Sequence, residues 1–252
     1  MKVFTGFDSA WGKKSAGAVC DLTVVDGKLS IARIDHGVYW ENAYDSLMKR
    51  KSEHHWIGID MPLIVTNPPK TSRAVDQFIT RKLMGTYKMG AHVANLSKSM
   101  FQPTGDLAEV LKRLKEDGYS HVNSGSTNNK LIMEVFPGIA LIGWLNYKCN
   151  YKVNKMAQIR KKKLPLELHW DKIFEFFLNQ KDLPIVGGRE FLENLKTPNK
   201  RNEDMLDAFI AAYSVAWFWK FGLEGSMILG DLQTGYVVTP VTPEIRAVYT
   251  EA

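Results

Sequence analysis

The sequence predicts an α/β fold in which a mixed sheet is flanked by helices. Residues 3–39 read as three consecutive strands. Two later apolar runs are short and nearly continuous, as in strands that are covered on both faces. Between these runs, apolar residues recur at helical spacing. An antiparallel start followed by parallel crossovers is a distinctive order among α/β folds.

The first three strands should form an antiparallel meander. Residues 3–8 form a β-type run that ends in small residues, and residues 18–25 form the next strand. Asp26-Gly27 is a strong hairpin signal, so residues 29–39 should return beside the second strand.

Two parallel strands should follow the meander. Residues 41–51 have helical spacing and lead into the apolar strand 56–60. A strand-helix-strand order predicts a right-handed crossover into a parallel neighbour. After a proline-rich loop and more helix, residues 131–135 form a second buried strand.

The rest of the chain reads as mainly helical. The strongest helix signal is the Ala-rich stretch 202–218, and residues 227–238 predict a C-terminal hairpin. Further helices are predicted at residues 72–84, 104–117, 139–145, 166–178 and 189–195. This order predicts a ribonuclease H-like fold with a mixed five-stranded sheet, three antiparallel strands and then two parallel ones. We expect a single domain over residues 1–252, with helical insertions and an inserted basic and helical region at about 146–200.

The charge of the chain is concentrated in one segment. The net charge is +6, from 33 Lys and Arg against 27 Asp and Glu. Residues 148–163, the basic segment, hold seven basic residues and no acid, so the rest of the chain is close to neutral. Tyr147 and Tyr151 alternate with Lys148 and Lys152, which is compatible with stacking and phosphate contacts on a nucleic acid. A solvated loop and helix start is the alternative. The substrate-binding lysines predicted in this segment are Lys152, Lys155 and Lys161.

The composition predicts a soluble cytoplasmic protein without a membrane partner. Two cysteines make no disulfide framework, and the first residues lack the apolar stretch of a signal peptide. The longest uncharged apolar run near the C-terminus has twelve residues, whereas about twenty are needed to span a bilayer. Trp217 and Trp219 belong either to the core or to a homodimer contact.

Carboxylates fall at the ends of the predicted strands. Asp8 ends the first strand, Asp60 ends the crossover strand and Glu134 lies in the later strand. Ligands of open α/β sheets bind beyond the carboxyl ends of parallel strands, so Asp8 and Asp60 should converge there.

Two more acids should reach the same place from the Ala-rich helix. Asp204 and Asp207 are three residues apart and therefore share one helix face. Ala208 and Ala211 continue this face, and their small side chains would let the helix lie close to the sheet.

Such a cluster is the ligand set of a hard cation. Neighbouring carboxylates repel each other unless a cation neutralises them, and Mg²⁺ and Mn²⁺ prefer oxygen ligands. Two such ions about 3.5–4 Å apart can hold the attacking water and the leaving oxygen of a phosphodiester. No His or Cys spacing here resembles a zinc site.

Each acid also has an ordinary structural explanation. Asp8 could cap the following turn and Asp60 could be a turn residue. Asp204 and Asp207 could be favoured at the start of their helix by the helix dipole, and Glu134 could pair with an arginine.

Five motifs follow one another along the chain. They are VFTGFDSAWG at 3–12, IDMPL at 59–63, RAVD at 73–76, EVFP at 134–137 and DMLDAFIAA at 204–212. Together they resemble the family called domain of unknown function 429, whose members are expected to be RNase H-like nucleases. The last motif also resembles the C-terminal helix of the Holliday-junction resolvases of that superfamily.

The resemblance implies a divalent-metal site made of acids. Asp8, Asp60 and Asp207 would be metal ligands, and Asp204 or Glu134 would be the fourth. Arg73 and Asp76 match a family motif and are predicted to bind substrate. Arg73 would contact a phosphate or form a surface i,i+3 ion pair with Asp76.

The leading hypothesis is a phosphodiester hydrolase that uses Mg²⁺ or Mn²⁺ in a two-metal-ion mechanism on nucleic acid. One alternative is a nucleotide-binding phosphotransferase of the actin-like class, which shares the opening meander but usually needs two such domains. The other is an inactive adaptor that binds nucleic acid or protein. The predicted catalytic residues are Asp8, Asp60, Glu134, Asp204 and Asp207.

Overall fold

The computed structural model describes residues 1–10, 12, 15–153 and 166–251. Within these ranges the chain forms nine strands and eight α-helices. They are β1 (Lys2–Asp8), β2 (Gly17–Val25), β3 (Lys28–Val38), α1 (Trp40–Met48), β4 (His54–Asp60), α2 (Ala74–Tyr87), α3 (Asp106–Glu116), β5 (Ser120–His121), β6 (Lys130–Glu134), α4 (Pro137–Leu145), α5 (Leu166–Leu178), β7 (Ile185–Val186), α6 (Gly188–Asn194), α7 (Lys200–Gly225), β8 (Ser226–Asp231), β9 (Gly235–Pro240) and α8 (Pro243–Thr250).

The main sheet is mixed and has seven strands in the order β5-β6-β4-β1-β2-β3-β7. β1, β2 and β3 form the expected antiparallel meander, and β4 and β6 extend it with parallel pairs. The prediction of five strands is wrong, because β5 and β7 add a strand at each edge. Both have only two residues, which is too short for a periodic pattern to reveal.

Helix α7 packs directly on the central strands. Gly6 of β1 and Gly58 of β4 are register partners. A Cβ atom at Gly6 would lie 2.0 Å from the Ala208 carbonyl oxygen, and one at Gly58 would lie 2.6 Å from a Val215 methyl carbon. The absence of side chains at these two positions therefore lets the helix backbone reach the sheet.

A buried polar chain ties the central strands together. The Thr5 hydroxyl in β1 donates to Asp21 in β2 at 2.6 Å and lies 2.8 Å from His55 Nε2 in β4. His55 Nδ1 lies 2.6 Å from the Tyr119 hydroxyl, and Arg33 donates to Asp21 at 2.7 Å. Burial lowers the pKa of His55 to about 3, so this histidine is neutral.

The C-terminal part packs against the same end of the sheet as the acids. β8 and β9 form the predicted hairpin, and Val238 bridges to Val135 just after β6. Helix α8 was not predicted, although Thr242 caps it with its hydroxyl and Pro243 opens it, both standard helix-start signals. No helix among the described residues has the length and apolarity that crossing a membrane requires.

Candidate metal centre

Three carboxylates meet at the ends of β1 and β4. Asp8 and Asp60 are register partners in the parallel pair of these strands, so the predicted convergence is confirmed. Asp207 approaches from α7, and one carboxylate oxygen from each acid lies within 4.8 Å of the others. No other His, Cys, Asp or Glu group of three in the described ranges has this arrangement.

Asp207 owes this place to the packing of α7. The helix begins at Lys200, and the Asn199 side chain caps it by accepting from the Asn202 N–H at 2.9 Å. Asp207 is therefore in the third turn, beyond the first turn on which the helix dipole acts. The following residue, Ala208, touches Gly6 of β1. Close packing, as the small residues of α7 predicted, delivers Asp207 to the strand ends.

Burial and mutual repulsion disfavour the ionised forms of these acids. Burial raises the pKa of Asp8 well above its usual range, and the charges of Asp207, Asp60 and Asp204 add to the effect. Burial raises the pKa of Asp60 to about 7, while Lys152 opposes the increase. The pKa of Asp207 is raised by burial as well. A divalent cation would remove this cost, and an all-carboxylate donor set suits Mg²⁺ or Mn²⁺.

Asp207 also has two partners from the start of the basic segment. The Tyr151 hydroxyl donates to Oδ1 of Asp207, and the Lys152 ammonium donates to Oδ2. The Trp170 indole N–H donates a hydrogen bond to the Tyr151 carbonyl oxygen at 2.9 Å. Tyr151 is 1% exposed, so the expectation that it stacks on bases is wrong.

Asp204 lies beside the cluster and has its own partners. Its Oδ1 is 2.6 Å from Lys200 Nζ, and its Oδ2 is 3.3 Å from His36 Nε2. The neighbouring Glu203 is 3.0 Å from the same lysine. Asp204 is outside the group of three, and its role as a fourth ligand stays a prediction.

Glu134 forms a buried ion pair. Arg73 donates to its two oxygens at 2.6 and 2.8 Å, and to the two oxygens of Asp76 at 2.8 and 2.9 Å. The pairing of Glu134 with an arginine is thus confirmed. Arg73 is only 2% exposed, so the Arg73–Asp76 pair is buried and not on the surface. Glu134 also accepts from the Leu63 N–H at 2.8 Å, which fixes the loop that follows Asp60.

A cavity of about 330 Å³ opens beside the acids. Asp8, Asp60 and Asp204 form its acidic wall, and Lys152 and Lys200 add two ammonium groups. The Arg73–Asp76–Glu134 cluster lines another part. The apolar lining includes Ile79, Ala91, Val135, Phe136 and Val237.

Of the predicted substrate-binding residues, Arg73, Asp76 and Lys152 line this cavity. Lys155 and Lys161 lie outside the described residues, and their role stays a prediction.

Sequence reasoning missed several partners of the acids. Glu203, Lys200 and His36 had no assigned role. Glu203 and Lys200 have the i,i+3 spacing of an ion pair, but this spacing is common on helix surfaces. His36 lies in β3, 168 residues before its partner Asp204, and no local pattern indicates such a contact.

The chain belongs to the family described as "Protein of unknown function (DUF429)", whose model matches residues 6–230. The matched range includes the three acids of the cluster and the Arg73–Asp76–Glu134 cluster. No curated protein and no solved structure matches the chain significantly.

Proposed function

We propose that this protein is a divalent-cation-dependent phosphodiester hydrolase, a nuclease of the RNase H-like class. The observation that carries the proposal is the group formed by Asp8, Asp60 and Asp207, whose oxygens lie within 4.8 Å of one another at the edge of a cavity. Perturbed carboxyl groups in a cleft are typical of catalytic sites.

The sheet supports the assignment of the fold class. The five longest strands of the main sheet have the order β6-β4-β1-β2-β3, and only β2 runs against its neighbours. This is the arrangement predicted for an RNase H-like sheet, and the acids lie at the carboxyl ends of β1 and β4, where such sheets bind ligands.

The three acids would hold Mg²⁺ or Mn²⁺. The cation would supply charge stabilisation for the phosphodiester and activation of the attacking water. Asp8 and Asp60 face the cavity from adjacent strands, and Asp207 completes the ligand set from α7. The buried Arg73 donates to Glu134, and Glu134 accepts from the Leu63 N–H. Together these bonds would position the loop that follows Asp60.

The proposed substrate is a nucleic acid strand. A cavity of about 330 Å³ has the size of a small-molecule site, so a short section of strand would enter it. Lys152 and Lys200 on its wall would contact phosphate oxygens. Lys152, in the described part of the basic segment, lies on the cavity wall, which supports a backbone contact on this side.

Cleavage assays in Mn²⁺ test the proposal with single-stranded, duplex, hybrid and four-way junction substrates. We expect at least one to be cut, and Asp8→Asn to reduce the rate by a factor of 10³ or more, about 4 kcal/mol of transition-state stabilisation. Asp45→Asn is the matched control, because Asp45 has a 72% exposed side chain on α1. If no substrate is cut, or if Asp8→Asn cuts as fast as Asp45→Asn, the proposal is wrong.

A further inference from the structure

The Lys152 ammonium lies inside the acid cluster. It donates to Oδ2 of Asp207 and is 3.7 Å from Glu203 Oε1. A lysine ammonium carries a full positive charge at neutral pH, so the cluster already contains one cation of the chain itself.

The backbone on both sides of Lys152 is anchored. Tyr151 is buried, bonds to Asp207 through its hydroxyl and accepts from Trp170 through its carbonyl. On the other side, the Val153 N–H donates to Glu203. A surface lysine would sample many rotamers, whereas these contacts direct the Lys152 side chain towards Asp207.

This lysine competes with a second metal ion for Asp207. Two ions about 3.5–4 Å apart need carboxylate oxygens that bridge or flank both. Oδ1 of Asp207 accepts from the neutral Tyr151 hydroxyl and keeps a lone pair for one ion, whereas Oδ2 accepts from the charged Lys152 ammonium. A divalent ion on Oδ2 would lie next to an ammonium group, and like charges at this distance repel strongly.

The charges of the three ligating acids agree with a single ion. Asp8, Asp60 and Asp207 carry −3 when ionised, Lys152 supplies +1, and one divalent cation completes the neutralisation of this group. The neighbouring Asp204 and Glu203 share Lys200, and Glu203 is also 3.7 Å from Lys152.

We propose that Lys152 takes the place of one of the two divalent cations, so that Asp8, Asp60 and Asp207 bind a single ion. The inference rests on the proposed function, because it assumes that the cluster binds metal. It differs from the two-ion expectation because the ammonium group of Lys152, and not a second metal ion, supplies the additional positive charge.

Calorimetric titration with Mn²⁺, together with the electron paramagnetic resonance spectrum of the loaded protein, tests this. We expect the wild-type protein to bind one Mn²⁺ per chain with a spectrum of isolated ions. Lys152→Met, which keeps most of the length of the side chain without its charge, should bind two ions with spin-coupled signals. Lys152→Arg should still bind one, and Lys148→Met is the control from the same segment.

The outcomes separate the two proposals. No Mn²⁺ binding by any of these proteins would remove the proposed function together with the inference. Two ions in the wild-type protein, or one ion in a folded Lys152→Met, would overturn the inference and leave the metal site standing. If Lys152→Met does not fold, the wild-type and Lys152→Arg stoichiometries decide, since two ions in either contradict the inference.

Discussion

Gly6 in β1 lies directly against Ala208 in α7: a Cβ atom at position 6 would be 2.0 Å from the carbonyl oxygen of Ala208. Asp8 follows Gly6 by two residues on the same face of the strand, and Asp207 precedes Ala208. The contact between a glycine and a helix backbone therefore sets the spacing between two acids of the cluster.

Gly6→Ala should disrupt both stability and metal binding. The new methyl group would meet backbone atoms of Ala208 and Ala212, which cannot rotate away, so α7 must move off the sheet. We expect a loss of about 3 kcal/mol or more in the free energy of unfolding, measured by urea denaturation, and Mn²⁺ binding weakened at least about tenfold.

Gly85→Ala provides the control for this substitution. Gly85 lies in α2, and its added Cβ would meet no atom within 4 Å. The control should be neutral or stabilise the protein by up to about 1 kcal/mol, because alanine favours helix. Equal stability of Gly6→Ala and the wild-type protein would refute the packing argument.

Arg73→Met should be strongly destabilising. It leaves Glu134 and Asp76 buried without their cation, and breaking a buried pair in this way costs about 3–5 kcal/mol. Adding Glu134→Gln should restore part of the loss, because it removes one of the stranded charges. Thermal and urea unfolding measure both effects.

Arg113→Met is the matched surface variant for that comparison. Arg113 and Asp45 form an exposed pair at 3.3 Å, and such pairs contribute no more than about 1 kcal/mol. A similar small loss for Arg73→Met would mean that the buried pair does not hold the loop beside Asp60.

Asp60 should make the metal-free protein less stable as the pH rises from 4 to 7. Its pKa is about 7 in the folded protein, against an ordinary value of 3.8, so the folded state binds more protons between these limits. The free energy of unfolding then falls by at most about 1.4 kcal/mol per pH unit. The stabilisation by protonated Asp60 is complete below pH 4 and is lost as the pH passes 7.

Asp60→Asn isolates this effect. Asparagine does not titrate. The free energy of unfolding of the variant minus that of the wild-type protein should therefore rise with pH by at most about 4 kcal/mol in total. It should level off above pH 7. The comparison requires urea denaturation in chelator at several pH values. A difference that stays constant with pH would show that Asp60 is not perturbed.

The parts of the fold that the sequence predicts are those with a strong local period. The meander, the crossover to β4 and the hairpin β8–β9 follow from alternation, helical spacing and turn residues. The edge strands β5 and β7 escape prediction because two residues carry no period.

In the candidate site too, local patterns predict some features, whereas others depend on long-range contacts. The convergence of Asp8 and Asp60 follows from strand direction alone, and the small residues of α7 predict its close approach. The contact of Lys152 with Asp207 joins residues 55 apart, and no local pattern distinguishes this lysine from the other basic residues of its segment. Burial of Arg73 likewise depends on two distant elements that meet only in the folded chain.

Diffraction from crystals soaked in Mn²⁺ tests most directly whether these acids form a metal centre. Anomalous scattering locates manganese without assumptions about its ligands. We predict a manganese peak at coordination distance from the carboxylates of Asp8 and Asp60 in the wild-type protein, and its loss in Asp8→Asn. A fully soaked wild-type crystal with no anomalous peak at these acids would contradict the account.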